Sequence, residues 1–441
     1  MGPAEKQVEK TGAKVAVLPS RSYSPAQAAE ELLSDSSVTV RRAAAEYLAL
    51  NRNPLQGSLP KILRQVFLDS DPQVVSSLVS ALERTPDSSG VVIPALLRLF
   101  RDSRYEIACD AALALGEGKK GAATAAIPLM VLAQSAFNRE ERDLCDRARG
   151  CYEGAPFASQ MSSMVDYHLS MSERSQKQVL KNMLASGASP LEDGDLRHLL
   201  VGVCSPGVVV RSFALRALAA YGDSLRDEQR PFVWAALAYV MADYEAASSP
   251  NQHEFLNVVR ASEMPAALAA MVERFDCRDN VDVRMARDFT AIHLARHADP
   301  LDAIERLTEM LWAQNASTVS GAASNLTILL LDIDKKLGVG IVNRLMEAVA
   351  ERAFDGKEIV DALVSAFVRL DTFHAEILNQ CAELVSLHQS PEVMIAVAKV
   401  IGSSPPTDPA LTKQALELLE YLSSTPYPRV ALTARRILSR A

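Results

Sequence analysis

Few residues in this chain are spaced as reactive groups are. His293 and His297 stand four apart in a segment of helical pattern, a spacing that presents two imidazoles to one zinc ion. Leu294 follows His293 where a zinc protease needs Glu, and a third ligand would have to come from Asp288 or Asp299. Two unrelated helix histidines is the simpler reading. Gly116-Glu117-Gly118-Lys119-Lys120-Gly121 spells the glycine pattern of a dinucleotide loop. Such a loop follows a β-strand, whereas a helical segment precedes this one, so Gly116 reads as that helix's C-terminal stop. Ser58-Leu59-Pro60-Lys61 matches SxxK by spelling alone and reads as a helix start. The chain shows no nucleophile elbow, phosphate-binding loop or EF-hand loop. The sequence therefore assigns no catalytic residue, no cofactor and no metal, and it predicts a protein that is not an enzyme.

Composition narrows the class further. Hydrophobic residues make up 49% of the 441, enough for a folded chain, while aromatics are only 5%. A thin core of Ala, Leu and Val between stacked helices suits that balance, and these chains favour helix. The formal charge is −8 and the pI about 5.5, which disfavours general binding to phosphate backbones. Cys109, Cys145, Cys151, Cys204, Cys277 and Cys381 form no CxxC pair. Cys145 and Cys151 would lie about 9 Å apart along a helix and on different faces, beyond disulfide reach. Reduced thiols in a cytoplasmic protein follow. Val15-Ala16-Val17-Leu18 is too short for a signal peptide, and Ile328-Leu329-Leu330-Leu331 runs into Asp332 and Asp334, so no membrane insertion is expected.

The elements that would carry any site repeat along the chain. Val40, Ala44, Tyr47 and Leu48 share one helical face. Val74, Leu78, Ala81 and Leu82 repeat the pattern after Asp71-Pro72, and Ile107, Ala111, Ala114 and Leu115 repeat it again. Val210, Ala214, Ala217 and Leu218 follow, then Val393, Val397, Val400 and Ile401, then Val430, Ala434, Ile437 and Leu438. Another helical segment precedes each of the early ones: Ser58 to Leu68, Val91 to Phe100 and Ile127 to Ser135. Ser24-Pro25-Ala26-Gln27 reads as a helix cap. No useful run alternates with period two. The unit is a helical hairpin, which cannot bury its own apolar stripe and must stack on neighbours. About 12 such pairs would fit the whole chain.

The period, 33 to 37 residues between anchors, lacks the ankyrin TPLH turn and the tetratricopeptide Trp/Gly/Tyr positions. Val40-Arg41-x-x-Ala44-Ala45, Val210-Arg211-x-x-Ala214 and Ile107-x-x-x-Ala111-Ala112-x-Ala114-Leu115-Gly116 resemble the second-helix signature of HEAT repeats. The last has Ala108 in place of Arg. Val283-Arg284 with Asp279 begins the same way, then departs at Arg287. The likeness is strongest over residues 24–135, fair over 190–295 and 355–441, and weak over 138–190 and 296–354. It implies an all-α, right-handed α-solenoid of stacked antiparallel helix hairpins. It also implies a ladder between repeats, for which Asp35, Asp69 or Asp71, Asp102 and Asp279 would meet Arg41, Arg211 and Arg284. Each such pair would contribute about 0.5 kcal/mol.

Four regions are expected: a flexible tail over 1–23, HEAT-like repeats over 24–137, an irregular helical segment over 138–190, and further HEAT-like repeats over 191–441. Phe157, Met161, Met164, Tyr167 and Met171 form a stripe that reads as buried packing. Residues two and six after each anchor should leave the core face and line an inner ridge. Arg42, Glu46, Ser76, Ser80, Ser212, Arg216 and Lys399 are the partner-binding candidates, with Cys109, Leu113 and Ile395 at equivalent places. Their mixed polarity suits a protein or peptide partner, hence a scaffold or adaptor. Two alternatives share the repeat. HEAT-like DNA glycosylases and bilin lyases exist, though a glycosylase needs a cationic groove with aromatic side chains, and this chain has only Trp234 and Trp312. A nucleic-acid-binding solenoid would draw on Arg41, Arg42, Arg211, Arg216, Arg435 and Arg436. The oligomeric state is left open.

Overall fold

The computed structural model describes residues 29–440 except 30, 51–58, 86–89, 118–121, 154–157, 185–190, 246–251, 275–280, 297–299 and 333–334. The tail, the Ser24–Gln27 cap, Ser58, Phe157, Cys277, Asp279, His297, Asp299, the loop at 246–250 and the last two glycines of the glycine pattern, Gly118 and Gly121, lie outside them. Twenty-three α-helices run through the described residues, with no strand among them.

Helix α1 (Val38–Leu50) leads a series of hairpins. The first three are α2 (Leu59–Leu68) with α3 (Pro72–Glu83), α4 (Val92–Phe100) with α5 (Tyr105–Glu117), and α6 (Ala122–Asn138) with α7 (Arg142–Gly150). Next come α8 (Ala158–Leu169) with α9 (Glu173–Leu184), α10 (Asp193–Cys204) with α11 (Val208–Ala220), and α12 (Arg230–Glu245) with α13 (Gln252–Ala261). Then follow α14 (Ala269–Glu273) with α15 (Val281–Ala295), and α16 (Pro300–Met310) with α17 (Ala316–Asp332). The last are α18 (Lys335–Glu351) with α19 (Lys357–Ala366), α20 (His374–Leu387) with α21 (Pro391–Ser403), and α22 (Pro409–Ser423) with α23 (Pro428–Leu438). Local chemistry sets the ends. Asp71 caps α3 by accepting from the Val74 N–H, and Asp408 caps α22 by accepting from the Ala410 and Leu411 N–H groups, each with proline in the first turn. Helix α6 is longer than Ile127–Ser135 because the Ala-rich stretch before Ile127 extends it.

Second helices pack on second helices: α1 on α3, α3 on α5, α9 on α11, α11 on α13, then α17 on α19, α19 on α21 and α21 on α23. First helices do the same more sparsely, α18 on α20 and α20 on α22 among them. The fold is an all-α solenoid.

Between residues 59 and 273 the solenoid folds back on itself. Helix α4 packs against α12, α6 against both α10 and α12, and α2 against α14 and the 3-10 turn Ala266–Leu268 before it. Four helix layers result: α1, α3, α5 and α7 outside, then α2, α4 and α6, then α14, α12 and α10, then α15, α13 and α11. The composition of the inner helices demands this. All nine residues of α4 are buried, Arg98 included, and α12 buries Val233 and every residue from Ala235 to Met241. A helix apolar all round needs cover on two sides, one from its own hairpin and one from the opposing arm. Gly90 (φ +68°) lets the chain turn into α4 against Pro231 and Trp234, each 3.3 Å from where a Cβ would stand.

Helix α8 makes the bend, touching α6 on one arm and α10 on the other. Its buried stripe is Met161, Val165 and His168, while Met164 is half-buried and Tyr167 exposed, so the methionine stripe faces the core over only part of its width. One apolar cluster runs from Ala29 to Leu294 and includes Cys145, Leu180 and, at the bend, Met161; a second runs from Phe289 to Ala434. They meet in α15, where the Phe289 ring sits so close to Gly321 that any Cβ there would collide with it. The second cluster has no opposing arm among the described residues.

Candidate binding surfaces

The ridge expected from the repeat does not form one concave line. Because first helices face each other across the fold-back, the second helices of residues 38–295 are the outer layers. Arg42, Glu46, Ser76 and Ser80 therefore lie on one outer face, and Ser212 and Arg216 on the opposite one. Lateral bonds tie most of them to the next helix. Arg42 Nη2 pairs with Asp71 at 2.6 Å, and Ser76 donates to Asp110 on α5. Ser80 donates to the Ser76 carbonyl, and Arg216 reaches Glu254 on α13 at 3.7 Å. Ser212 is a correction: it is buried, and it accepts from Arg216 Nη2 at 2.7 Å, so it positions that side chain and presents nothing itself. Lys399 pairs with Asp361 of α19 at 2.6 Å.

The repeat-to-repeat ladder is partly as the resemblance implies. Arg41 Nε pairs with Asp69 at 2.8 Å, and its Nη1 donates to the Asp35 carbonyl. Burial pushes the Asp69 carboxyl up, but the Arg41 hydrogen bond, the Asp71 N–H and Gln65 more than reverse that and hold it below its ordinary value. Asp102 pairs with Arg104 of its own repeat at 2.9 Å, and Arg104 reaches back to the Asp69 carbonyl. Arg211 departs from the pattern: it donates to the Ser205 carbonyl and pairs with Asp243 on α12 at 2.8 Å.

Asp243 joins the two arms. It also takes Arg101 Nη2 at 2.6 Å, and Arg101 stacks over the Tyr239 ring and donates to the Tyr239 carbonyl. These groups, with Arg139 and Pro206, wall a cleft of about 390 Å³ between the arms. Arg64 with Glu273 at 3.4 Å and Arg274 with Asp102 at 3.8 Å bridge the arms farther along. Burial first, and then the nearby Arg274, pull the Arg98 guanidinium down to about 9, with Asp102 opposing. It stays charged at neutral pH. At the bend, His168 Nε2 and His198 Nδ1 stand 2.6 Å apart. Burial, then the neighbouring His198, lower the His168 ring to about 4.

A different surface opens on α19, α21 and α23, which lie side by side. Phe354, Val360, Ile395 and Leu432 form its floor, and Lys357, Lys399, Arg429 and Arg436 line its edges with Glu392; its volume is about 600 Å³. Phe354 is 64% and Leu432 61% exposed. Ile395 and Leu432 stand four residues into their helices, in the same register of two successive repeats, and Val360 stands three residues into α19, beside the equivalent position, Asp361. Ile395 and Lys399 belonged to the expected ridge. The same offsets from Val430 fall on Leu432 and Arg436, so counting one repeat further would have found them. Phe354, Lys357 and Arg429 carry no repeat signal, because two precede or begin helices whose stacking alone brings them to this groove.

Of the arginines proposed for a nucleic-acid stripe, Arg41, Arg42, Arg211 and Arg216 are paired with carboxylates, Arg435 donates to the Ser423 carbonyl, and Arg436 shares a surface with Lys357, Lys399 and Arg429. Trp234 donates to the Ser262 carbonyl, which Arg230 also reaches, and Trp312 donates to Glu351. His293 lies beside Arg296, and no group of three His, Cys, Asp or Glu residues suited to a metal occurs among the described residues. Cys109, Cys145, Cys151, Cys204 and Cys381 are free. Among the described residues no helix is long and apolar enough to cross a membrane.

No protein-family model matches the chain, and no curated protein does. Among solved structures, an engineered protein is 16% identical with a TM-score of 0.22, over 94% of this chain and 98% of that one. A chain from a study of the cadherin–β-catenin interaction is 14% identical, TM-score 0.29, over 94% and 93%. A chain from the AP-3 complex in an intermediate open conformation is 12% identical, TM-score 0.38, over 93% and 82%. These superpositions are too loose to bear on function; the stacking of the hairpins is what defines the solenoid.

Proposed function

We propose that this protein is a non-catalytic scaffold or adaptor of the HEAT-repeat kind, acting in the cytoplasm, and that it binds a protein partner on the open second-helix face of its C-terminal array. One observation carries the reading. The second helices α19, α21 and α23 present apolar side chains and cations together, uncovered by any other described element. Exposed apolar surface rimmed by polar groups marks interaction sites. Lys399 is the ridge residue that belongs to it. Arg42, Glu46, Ser76, Ser80 and Arg216 would serve at most as secondary contacts on the outer faces. The Arg41–Asp69 pair between repeats supports the family reading.

A photo-crosslinking residue at Leu432, compared with one at the equally exposed Leu113 on an outer face, tests this in the native cell. The expected result is a discrete protein adduct from Leu432 and none from Leu113. Adducts with nucleic acid alone, or none from either position, would overturn the reading.

A further inference from the structure

The C-terminal groove has a width, a charge and a register, and together they specify an occupant. Its two edges are set by α23: Arg429 stands on one and Arg436 on the other, seven residues or about 10.5 Å apart at 1.5 Å per residue. That is the diameter of an α-helix with its side chains, about 10–12 Å. The floor between the edges is apolar: Leu432 and Phe354 are exposed on it, Ile395 is half-buried between them, and the buried Val360 lies beneath its α19 end. Neighbouring helices pack about 8–10 Å apart, so the floor runs for about 20 Å, the length of roughly 13 helical residues.

The charge is set against that of the whole chain. The protein carries −8 overall, yet Lys357, Lys399, Arg429 and Arg436 surround this floor. Asp361 answers Lys399, and Glu392 accepts a hydrogen bond from Ser390, which leaves a net of two positive charges among these groups. The Lys357 and Arg429 edge also lies at the N-termini of α19, α21 and α23, whose dipoles add to the positive potential there. The second edge, with Lys399 and Arg436, lies two turns along.

We propose that this groove receives an acidic amphipathic helix from another protein, lying across α19, α21 and α23. Its apolar stripe rests on Phe354, Val360, Ile395 and Leu432, and its Asp or Glu residues on both flanks meet the two cationic edges. Glu392, midway along the first edge, selects against an acid at the centre of that flank. A helix with a basic polar face would meet like charges on both sides. The inference rests on the reading that this face binds a protein, and it names the chemistry of the partner.

The probe is a fluorescein-labelled amphipathic peptide of about 16 residues, Leu on one stripe and Glu on both flanks, and a twin with every Glu replaced by Lys. Fluorescence anisotropy with the full chain should show binding of the acidic peptide only, weakening as salt rises. Arg429→Glu with Arg436→Glu should weaken it about tenfold or more, and Leu432→Ser should weaken it without changing the salt dependence. Both edge residues and Leu432 are exposed, and circular dichroism melts of each variant check that the fold is kept. Equal binding of the two peptides, no binding of either, or unchanged affinity in the charge-reversed variant would overturn the proposal. So would preferential binding of a single-stranded DNA probe lost in the same variants. If the acidic peptide fails while the Leu432 crosslink to a protein stands, the partner's chemistry is misassigned and the scaffold reading survives. If both fail, both fall.

Discussion

Residues 59–273 and residues 300–438 are made from the same helical hairpin, but they spend its surfaces differently. In the first region α4 is buried on every residue, and the arms close over α2, α4, α6, α10, α12 and α14. In the second, the first helix α20 keeps Leu387 67% exposed, and the groove on α19, α21 and α23 stays open. Stacking alone satisfies a hairpin whose helices have one apolar stripe. A helix with two stripes must find a second neighbour, and it does so by bending the whole array. The consequence is a block whose first helices are covered by an opposing arm and an array whose first helices have none among the described residues.

The comparison breaks most sharply in the first helices. Leu97→Ala in α4 should cost about 2–5 kcal/mol, as truncation of a fully buried leucine does. Leu387→Ala in α20 should stay within about 0.5 kcal/mol. Urea unfolding followed by circular dichroism measures both, and similar losses would mean that the two regions are not differently covered. A smaller effect lies at the seam. Asp243→Asn leaves Arg101 and Arg211 facing each other without their shared carboxylate. With about a quarter of Asp243 exposed, the loss should be about 2 kcal/mol, less than for a fully buried pair. Hydrogen exchange should show it in α4 and α12 and leave α21 unchanged.

The last prediction sharpens the contrast through pH. Burial and mutual proximity hold His168 at about 4, below its ordinary 6.5, and burial lowers His198 despite Asp195. The fold thus favours neutral rings, and unfolding takes up protons. Stability held above about pH 6.5 should fall as the pH drops toward 4, and His168→Phe should flatten that fall. Hydrogen exchange in α8 and α10 should rise first, since this pair joins the two arms at the bend. An unchanged pH profile in the variant would remove the histidine pair as its cause.

Much of this was legible in single residues. Val40, Val74, Ile107, Val210, Val393 and Val430 all sit on buried faces of second helices or close beside them, as their spacing required. Arg41 found Asp69. Other features were not. The all-apolar run Val92–Phe100 reads as an ordinary buried helix, and its second neighbour, α12, begins 130 residues after Phe100. Ser212 stands at an outward offset, yet the neighbouring side chains close over it. Nothing local records either event.

From the amino-acid order alone came the hairpin, its period and the stacking of one unit on the next, because those depend on contacts within one or two repeats. The tertiary structure decided which layer faced inward, which arginines were neutralised and where apolar and cationic side chains gathered into a groove. Those outcomes depend on how small rotations between repeats accumulate over many hairpins. A change too slight to leave a mark in any one repeat sums to a folded-back block at one end and an array without an opposing arm at the other.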